Sequence, residues 1–251
     1  MTAAAERRVE CVSGDTVQWM LQAAVLVYHG HNGKAYATVH GIEGRGKQLR
    51  LGAGRPATKE ACADLARSLG AMAGLSGFTP PNLLYLGART MIWWRPSAPA
   101  RVFFTPPADA EDPPKGSAVT PHPGLVFAVA GTEWYVYALA GDARPGPATK
   151  LCRAPYYNVY HKGHICTGNV RLPETLSPTS LEQYERAFFD SNFTHPNMPQ
   201  LVKGKTGSAF WREGLAGQWG ERFPVRRLLP EKCTLEQLAA RLDQPKEDHR
   251  D

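Results

Sequence analysis

The stretch Ala154-Pro155-Tyr156-Tyr157-Asn158-Val159-Tyr160-His161-Lys162-Gly163-His164-Ile165-Cys166-Thr167-Gly168-Asn169 leaves the backbone few choices. Its apolar residues are too sparse for one face of a helix, and its glycines and turn formers are too frequent for a central strand. It reads as an irregular loop between regular elements, with β-rich runs before it and helical periodicities after it. At 251 residues the chain is one large domain or two small ones, long enough to bury on the order of 70% of its unfolded surface. Hydrophobic residues at 43% and charged ones at 21% exclude a disordered or fibrous chain.

Upstream, Ala23–His29 and Lys34–His40 are β-rich runs around His31-Asn32-Gly33, whose Asn-Gly pair favours positive φ and marks a hairpin. Gly41–Gly54 is glycine-rich and basic. Its glycine spacing is wrong for a phosphate loop, and Gln48 follows Lys47 where Ser or Thr is needed, so it reads as a mobile surface loop. Thr58 caps a helix running to about Gly74. Cys62, Leu65, Leu69, Met72 and Ala73 fall at three- and four-residue steps, which places Cys62 in the core. Short strands are expected at Leu83–Leu86, Thr90–Trp94, Arg101–Thr105, Leu125–Ala130, Glu133–Leu139 and around Thr149–Arg153, with a turn at Ala130-Gly131-Thr132. Trp93, Trp94 and Trp134 read as sheet-packing residues. Pro106–Pro123, rich in Pro and Asp, reads as an exposed insertion.

Helices return after Cys166. Ser177 caps one with Pro178 in its first turn, or Thr179 and Glu182 form a capping box; Leu181, Tyr184 and Phe188 line its buried face. Thr234 with Gln237 opens another, with Leu235, Leu238, Ala239 and Leu242 facing inward, and the charged residues from Gln244 read as a frayed tail.

Lys and Arg total 29 against 23 Asp and Glu, a net charge of +6 that permits an acidic partner without selecting one. The basic residues are scattered and no nucleic-acid motif accompanies them, so DNA is a possible but not a favoured partner. Five cysteines, odd in number and widely spaced, read as reduced thiols rather than a disulfide framework. No apolar run approaches the ~20 residues of a bilayer span. Residues 1–15 lack the apolar core of a secretory signal, so a cytoplasmic protein without membrane contact is expected.

Chemistry concentrates in the loop. Cys166 there has access that a cysteine on an apolar helix face lacks, and His161, Lys162 and His164 stand close in sequence to favour a thiolate. Asn158 lies eight positions before Cys166, and Gly163-His164-Ile165-Cys166 closes the stretch. This resembles the active-site segment of ubiquitin-conjugating enzymes, where a His-Pro-Asn triplet is followed at the same spacing by Gly-x-Ile/Val-Cys. The His-Pro is replaced here by Tyr156-Tyr157, and the literal His195-Pro196-Asn197 lies downstream of the cysteine, where it cannot be the same element. The run from Leu125 to His195 is similar to the PRTRC system protein B group, a bacterial branch of that superfamily. The likeness is carried by Arg144-Pro145, Ala154-Pro155, Asn158-Val159-Tyr160, Gly163, Cys166-Thr167-Gly168-Asn169, Phe188-Phe189-Asp190-Ser191 and Phe193-Thr194-His195.

The resemblance implies an α+β, ubiquitin-conjugating-enzyme-like domain over residues 58–243: helix, antiparallel β-meander, cysteine-bearing active-site loop, C-terminal helices. Residues 1–57 would be an N-terminal β-hairpin extension and 244–251 a charged tail. It implies a carrier that accepts a ubiquitin-like protein as a thioester on Cys166 and passes it to an amine. Asn158 would stabilise the oxyanion or hold the loop. His195 would accept a proton or orient the thioester, since a segment of about 12 residues in helical form spans ~18 Å and can return the chain toward the loop. Neither a cofactor nor a metal is implied. The group accompanies cassettes encoding a ubiquitin-like protein, a ThiF-like activating enzyme, a JAB-type peptidase and a ParB-like protein, which become the implied partners on a plasmid or mobile element. Three alternatives stand beside this reading: a non-catalytic scaffold of the same fold, a metal site from Cys152, His161, His164 and Cys166, and a DNA-binding partition accessory.

Overall fold

The computed structural model describes residues 21, 23–30, 34–44, 48–72, 78–87, 89–110, 112–168, 170–174 and 176–243. The chain divides into two compact units, Met1–Ser76 and Gly77–Asp251. Among the described residues it is a mixed α+β protein with four α-helices and sheets that are antiparallel except for one short pair.

The first unit holds a sheet in the order β1(Ala23–His29), β2(Ala35–Glu43), β3(Arg50–Pro56), followed by α1(Lys59–Met72). The expected hairpin forms, with Ala23 opposite Gly41 and His29 opposite Ala35; its Asn32-Gly33 turn lies outside the described residues. Gly41–Gly54 is not the mobile loop its composition suggested, because β2 runs to Glu43 and β3 begins at Arg50. The glycines make room for cross-strand side chains: a β-carbon on Gly54 would lie 2.4 Å from His40 Cε1, and His40 Nδ1 meets the Gly52 carbonyl at 2.9 Å. Thr58 caps α1 as expected, its Oγ1 accepting from Ala61 N at 3.1 Å. Cys62, however, is exposed, and Leu65 is 41% exposed. Periodicity finds the apolar stripe of a helix but not whether anything covers it.

The second unit is built on a six-stranded sheet in the order β12(Pro230–Thr234), β10(Lys150–Arg153), β9(Glu133–Ala138), β8(Leu125–Ala130), β5(Thr90–Arg95), β4(Leu83–Leu86). Between β5 and β8 the chain leaves to form β6(Ala100–Phe104) and β7(Gly116–Thr120), which share a smaller sheet with β11(Asn192–Phe193); β11 is parallel to β6. Pro106–Pro123 is therefore only partly an exposed insertion. Its second half is β7, and Thr120 and His122 are buried behind it. The prolines stop pairing at Pro106 and Pro107 but leave Gly116–Thr120 free to join Ala100–Phe104.

β8 explains why the larger sheet needs cover on both faces. All six of its residues are apolar and the first five are fully buried, as a strand sandwiched on both sides must be. Its alternate residues Leu125, Phe127 and Val129 enter one core, while Val126 and Ala128 enter the other. The first core is closed by α2(Leu181–Phe189), through Leu181, Tyr184 and Phe188, and by α3(Gly207–Leu215), through Phe210 and Trp211. Glu185 of α2 fixes the docking by accepting from Trp93 Nε1 at 3.0 Å and lying 3.5 Å from Arg95 Nε. The second core is closed by α4(Leu235–Asp243), through Leu235, Leu238 and Ala239.

Both helix starts follow their sequence signals. Ser177 caps as expected and opens a 3-10 turn at Pro178–Ser180 ahead of α2, but the capping box it forms is with Ser180 and not the Thr179–Glu182 pair. Thr234 and Gln237 cap α4 reciprocally, at 3.3 and 3.0 Å. Trp93 and Trp134 are fully buried in the first core, and Trp94 packs against the second. No described helix is long and apolar enough to cross a membrane.

Candidate functional site

The segment from Ala154 to Cys166 crosses the first core before it reaches the surface. Trp211 Nε1 donates to the Pro155 carbonyl at 2.7 Å. Tyr156 is fully buried and its hydroxyl meets His122 Nδ1 at 2.9 Å; Tyr157 is as deep, with its hydroxyl 3.1 Å from Ser208 Oγ. Burial raises the pKa of both phenols, so they remain neutral anchors.

With two consecutive side chains locked in the core, the next residues are presented in a fixed direction. Val159 and Ile165 pair in an antiparallel bridge, and both are buried. Cys166 N donates to the Asn158 carbonyl at 2.7 Å and Tyr160 N to the His164 carbonyl at 2.7 Å. The eight-residue spacing is thus the span of a small hairpin that sets Asn158 directly across from Cys166. With Val159 and Ile165 turned inward, the side chains of Asn158, Tyr160, His164 and Cys166 share the opposite face. At the tip, Lys162 (φ 58°) and Gly163 (φ 76°) take left-handed conformations. A β-carbon on Gly163 would lie 2.6 Å from Tyr137 Cζ and 2.8 Å from the Val136 carbonyl oxygen, so only glycine fits there.

The hairpin lies along β9 beyond the end of β10: Ile165 N donates to the Trp134 carbonyl at 2.8 Å, and His164 bridges Tyr135. Cys166 is half-buried at the wall of an open cleft of about 650 Å³. Asn158, Arg171, Asp190, Ser191, Asn192 and Thr194 line the same cleft. Asn158 Nδ2 donates to Ser191 Oγ at 3.1 Å and to the Asn192 carbonyl at 3.3 Å, while Ser191 Oγ donates back to the Phe188 carbonyl at 2.7 Å. The asparagine amide thereby ties the hairpin to the end of α2 and to β11. The Tyr160 side chain is exposed, and its interaction with the neighbouring Cys166 raises the phenol's pKa above its ordinary value.

Of the three residues expected from sequence, Asn158 and Cys166 pair across the hairpin, and His195 follows Thr194 of the cleft lining. His195 is exposed, its Nδ1 lies 3.0 Å from Thr194 Oγ1, and it does not line the cleft. His161 and Lys162 sit at the exposed tip, whereas His164 packs against Tyr135 and Tyr160 with ring centroids 5.6 and 6.0 Å away. Asp190, Ser191, Arg171 and Tyr160 are the residues that sequence reasoning passed over. Asp190-Ser191 belongs to the Phe188–Ser191 stretch that carries the family resemblance, but no spacing rule ties the end of a helix to a cysteine so far upstream. The metal alternative finds no support: among the described residues no three His, Cys, Asp or Glu side chains are grouped to hold an ion.

No curated protein and no solved structure matches the chain. The model of prokaryotic E2 family D matches residues 62–231, which run from α1 into β12 and take in the Cys166 hairpin and every residue of its cleft; the chain belongs to that family.

Proposed function

We propose that the protein carries a ubiquitin-like protein as a thioester on Cys166 and passes it to an amine. The observation that supports this best is the hairpin that sets Cys166 against Asn158 at the wall of an open cleft. In the first step the Cys166 thiolate attacks the carbonyl of a donor thioester, a tetrahedral oxyanion forms, and the donor thiolate leaves. The sulfur-for-sulfur exchange costs little net free energy. In the second step an amine attacks the Cys166 thioester, loses a proton, and expels the Cys166 thiolate as an amide forms. Serine would hold the acyl group as a less reactive ester.

The cleft supplies groups suited to both steps. Tyr160, which interacts with Cys166, stays protonated as an available O–H donor near the sulfur. Asp190, a residue of the cleft lining, is one candidate acceptor for the amine's proton, and His195, exposed beside Thr194, is the other. Asn158 fits the second of its two expected roles, that of holding the loop, because its Nδ2 already donates to Ser191 and Asn192. Residues 58–243 are read as the carrier domain because the family match begins within α1, although α1 itself belongs to the first compact unit. The partners that fit are a ubiquitin-like protein and a ThiF-like activating enzyme, with a JAB-type peptidase and a ParB-like protein of the same cassette.

The test is a charging assay with the cognate activating enzyme, ATP and modifier. A thiol-sensitive adduct forms on the wild type and is lost in Cys166→Ala. An adduct that survives Cys166→Ala but is lost in Cys152→Ala would overturn the assignment.

A further inference from the structure

We propose that Tyr137 and Arg241 are positioning residues that clamp the tip of the Cys166 hairpin, so that a residue of α4 sets the geometry of the thiol. The consequence for catalysis rests on the transfer reading above, but the clamp itself rests on geometry alone.

The hairpin has one internal weakness. Tyr160 N to the His164 carbonyl and Cys166 N to the Asn158 carbonyl close the stem, and within the turn a single longer bond, Gly163 N to the Tyr160 carbonyl at 3.2 Å, leaves the Lys162 carbonyl to be held by side chains outside the hairpin. Left-handed φ at Lys162 is unfavourable for a non-glycine residue, so external bonds help to hold the turn in one form. Those bonds come from below. The Tyr137 hydroxyl donates to the Lys162 carbonyl. Arg241 Nη2 donates to the Tyr137 oxygen at 2.7 Å and reaches the same carbonyl at 3.5 Å. The Tyr137 ring, fully buried in β9, is the floor against which Gly163 closes. Arg241 also stands 6.0 Å over the Tyr135 ring, which in turn meets the His164 ring.

Burial pushes the Tyr137 phenol up to about 12, so its proton stays available to the carbonyl throughout the physiological range. The guanidinium likewise stays charged. Arg241 is thus a fixed cation whose partners belong to the hairpin and its floor, and Cys166 stands at the end of the hairpin strand that begins at this tip.

The test uses the full chain with Tyr137→Phe, which keeps the ring under Gly163 and removes the hydroxyl, and with Arg241→Met and Arg241→Lys. Amide hydrogen exchange at Tyr160 and Cys166 should be about tenfold faster in Tyr137→Phe and Arg241→Met, the scale of one net hydrogen bond, with β8 amides unchanged. The thioester should discharge to free lysine about tenfold more slowly in the same variants. The KM for lysine should be unaltered, and Arg241→Lys should recover most of the rate. Unchanged exchange at the hairpin overturns the clamp, as does acceleration shared with β8, which would mark general destabilisation. If Tyr137→Phe fails to fold, Arg241→Met decides by the same readings. If the wild type never forms a thioester, the transfer reading fails, and hairpin exchange still decides the clamp.

Discussion

His122 offers a sharp test of how the core is built, because a single proton reports on it. Its ring lies between the Ala100 carbonyl, 3.3 Å from Nε2, and the Tyr156 hydroxyl, 2.9 Å from Nδ1, with Thr120 Oγ1 3.1 Å from Nε2. A carbonyl can only accept, so Nε2 carries the hydrogen and Nδ1 accepts from Tyr156. Phe189 and Trp211 pack around the ring, at 4.9 and 6.2 Å between centroids. Burial, reinforced by nearby Arg95, holds the imidazole at about 3 against an ordinary 6.5. A folded value below the unfolded one means that the unfolded chain takes the proton first as pH falls. Stability is therefore full above pH 6.5 and is lost progressively down to pH 3. Each pH unit inside that window is worth about 1.4 kcal/mol, so the change from pH 7 to pH 5 removes about 2 kcal/mol. That is a large part of the ~5–15 kcal/mol of a typical domain. Urea unfolding followed by tryptophan fluorescence at pH 7, 6 and 5 measures it, with His122→Gln to cancel the titration of all other groups. The variant should be less stable than the wild type at pH 7, and the gap should shrink by about 2 kcal/mol at pH 5. A gap that stays constant would mean that His122 is not kept neutral by the fold, and the reasoning would fall.

Two further substitutions separate roles around the hairpin. Asn158→Ala should leave a folded protein that charges normally but discharges about tenfold more slowly, since the amide ties the hairpin to α2 and β11; a loss of ~10²–10³ in single-turnover discharge would instead identify an oxyanion donor. Gly163→Ala should cost at least ~1–2 kcal/mol in chemical denaturation from its positive φ alone, and more because the new β-carbon meets the Tyr137 ring, while unaltered stability would show that the tip can relax.

Where local chemistry determines structure, the sequence is a sufficient guide: the capping residues Thr58, Ser177 and Thr234, the β-rich runs Leu125–Ala130 and Glu133–Ala138 about the turn at Gly131, and the spacing of Asn158 and Cys166. What it hides is decided by partners distant in the chain. The helix α3 carries Gly207 and Gly214, which lower helix propensity, yet Gly214 is needed where Trp219 closes to within 2.7 Å of a would-be β-carbon. β12 opens on Pro230 and β11 has two residues, so neither carries a strand signature; each exists because an edge, of β10 or β6, is there to pair with. Proline and aspartate made Pro106–Pro123 look like loop, and it takes the Tyr156 hydroxyl, the Thr120 hydroxyl and the Ala100 carbonyl to satisfy the histidine buried there. Cys62 went the other way, a residue in an apolar pattern that nothing buries. In the site, Asp190 and Ser191 share a cleft with the cysteine because α2 docks through Leu181, Tyr184 and Phe188 and through Glu185 on Trp93, the last a contact that crosses more than half of the second unit.

The placement of β12 and α4 bears on how the chain behaves while it is being made. β10 is complete at Arg153, but its neighbour β12 and the helix over Ile92, Val126, Ala128 and Leu151 come from residues 230–243. A nascent chain that has emerged only through α3 presents an open strand edge beside an uncovered apolar sheet face, the combination that templates aggregation. Closure waits for a segment some eighty residues after β10 has formed, so high contact order makes it a late and slow event. Ribosome stalling or proteolytic clipping ahead of Pro230 would then release a sticky fragment rather than a smaller working domain, and the cell would read such a fragment as a chaperone or protease client.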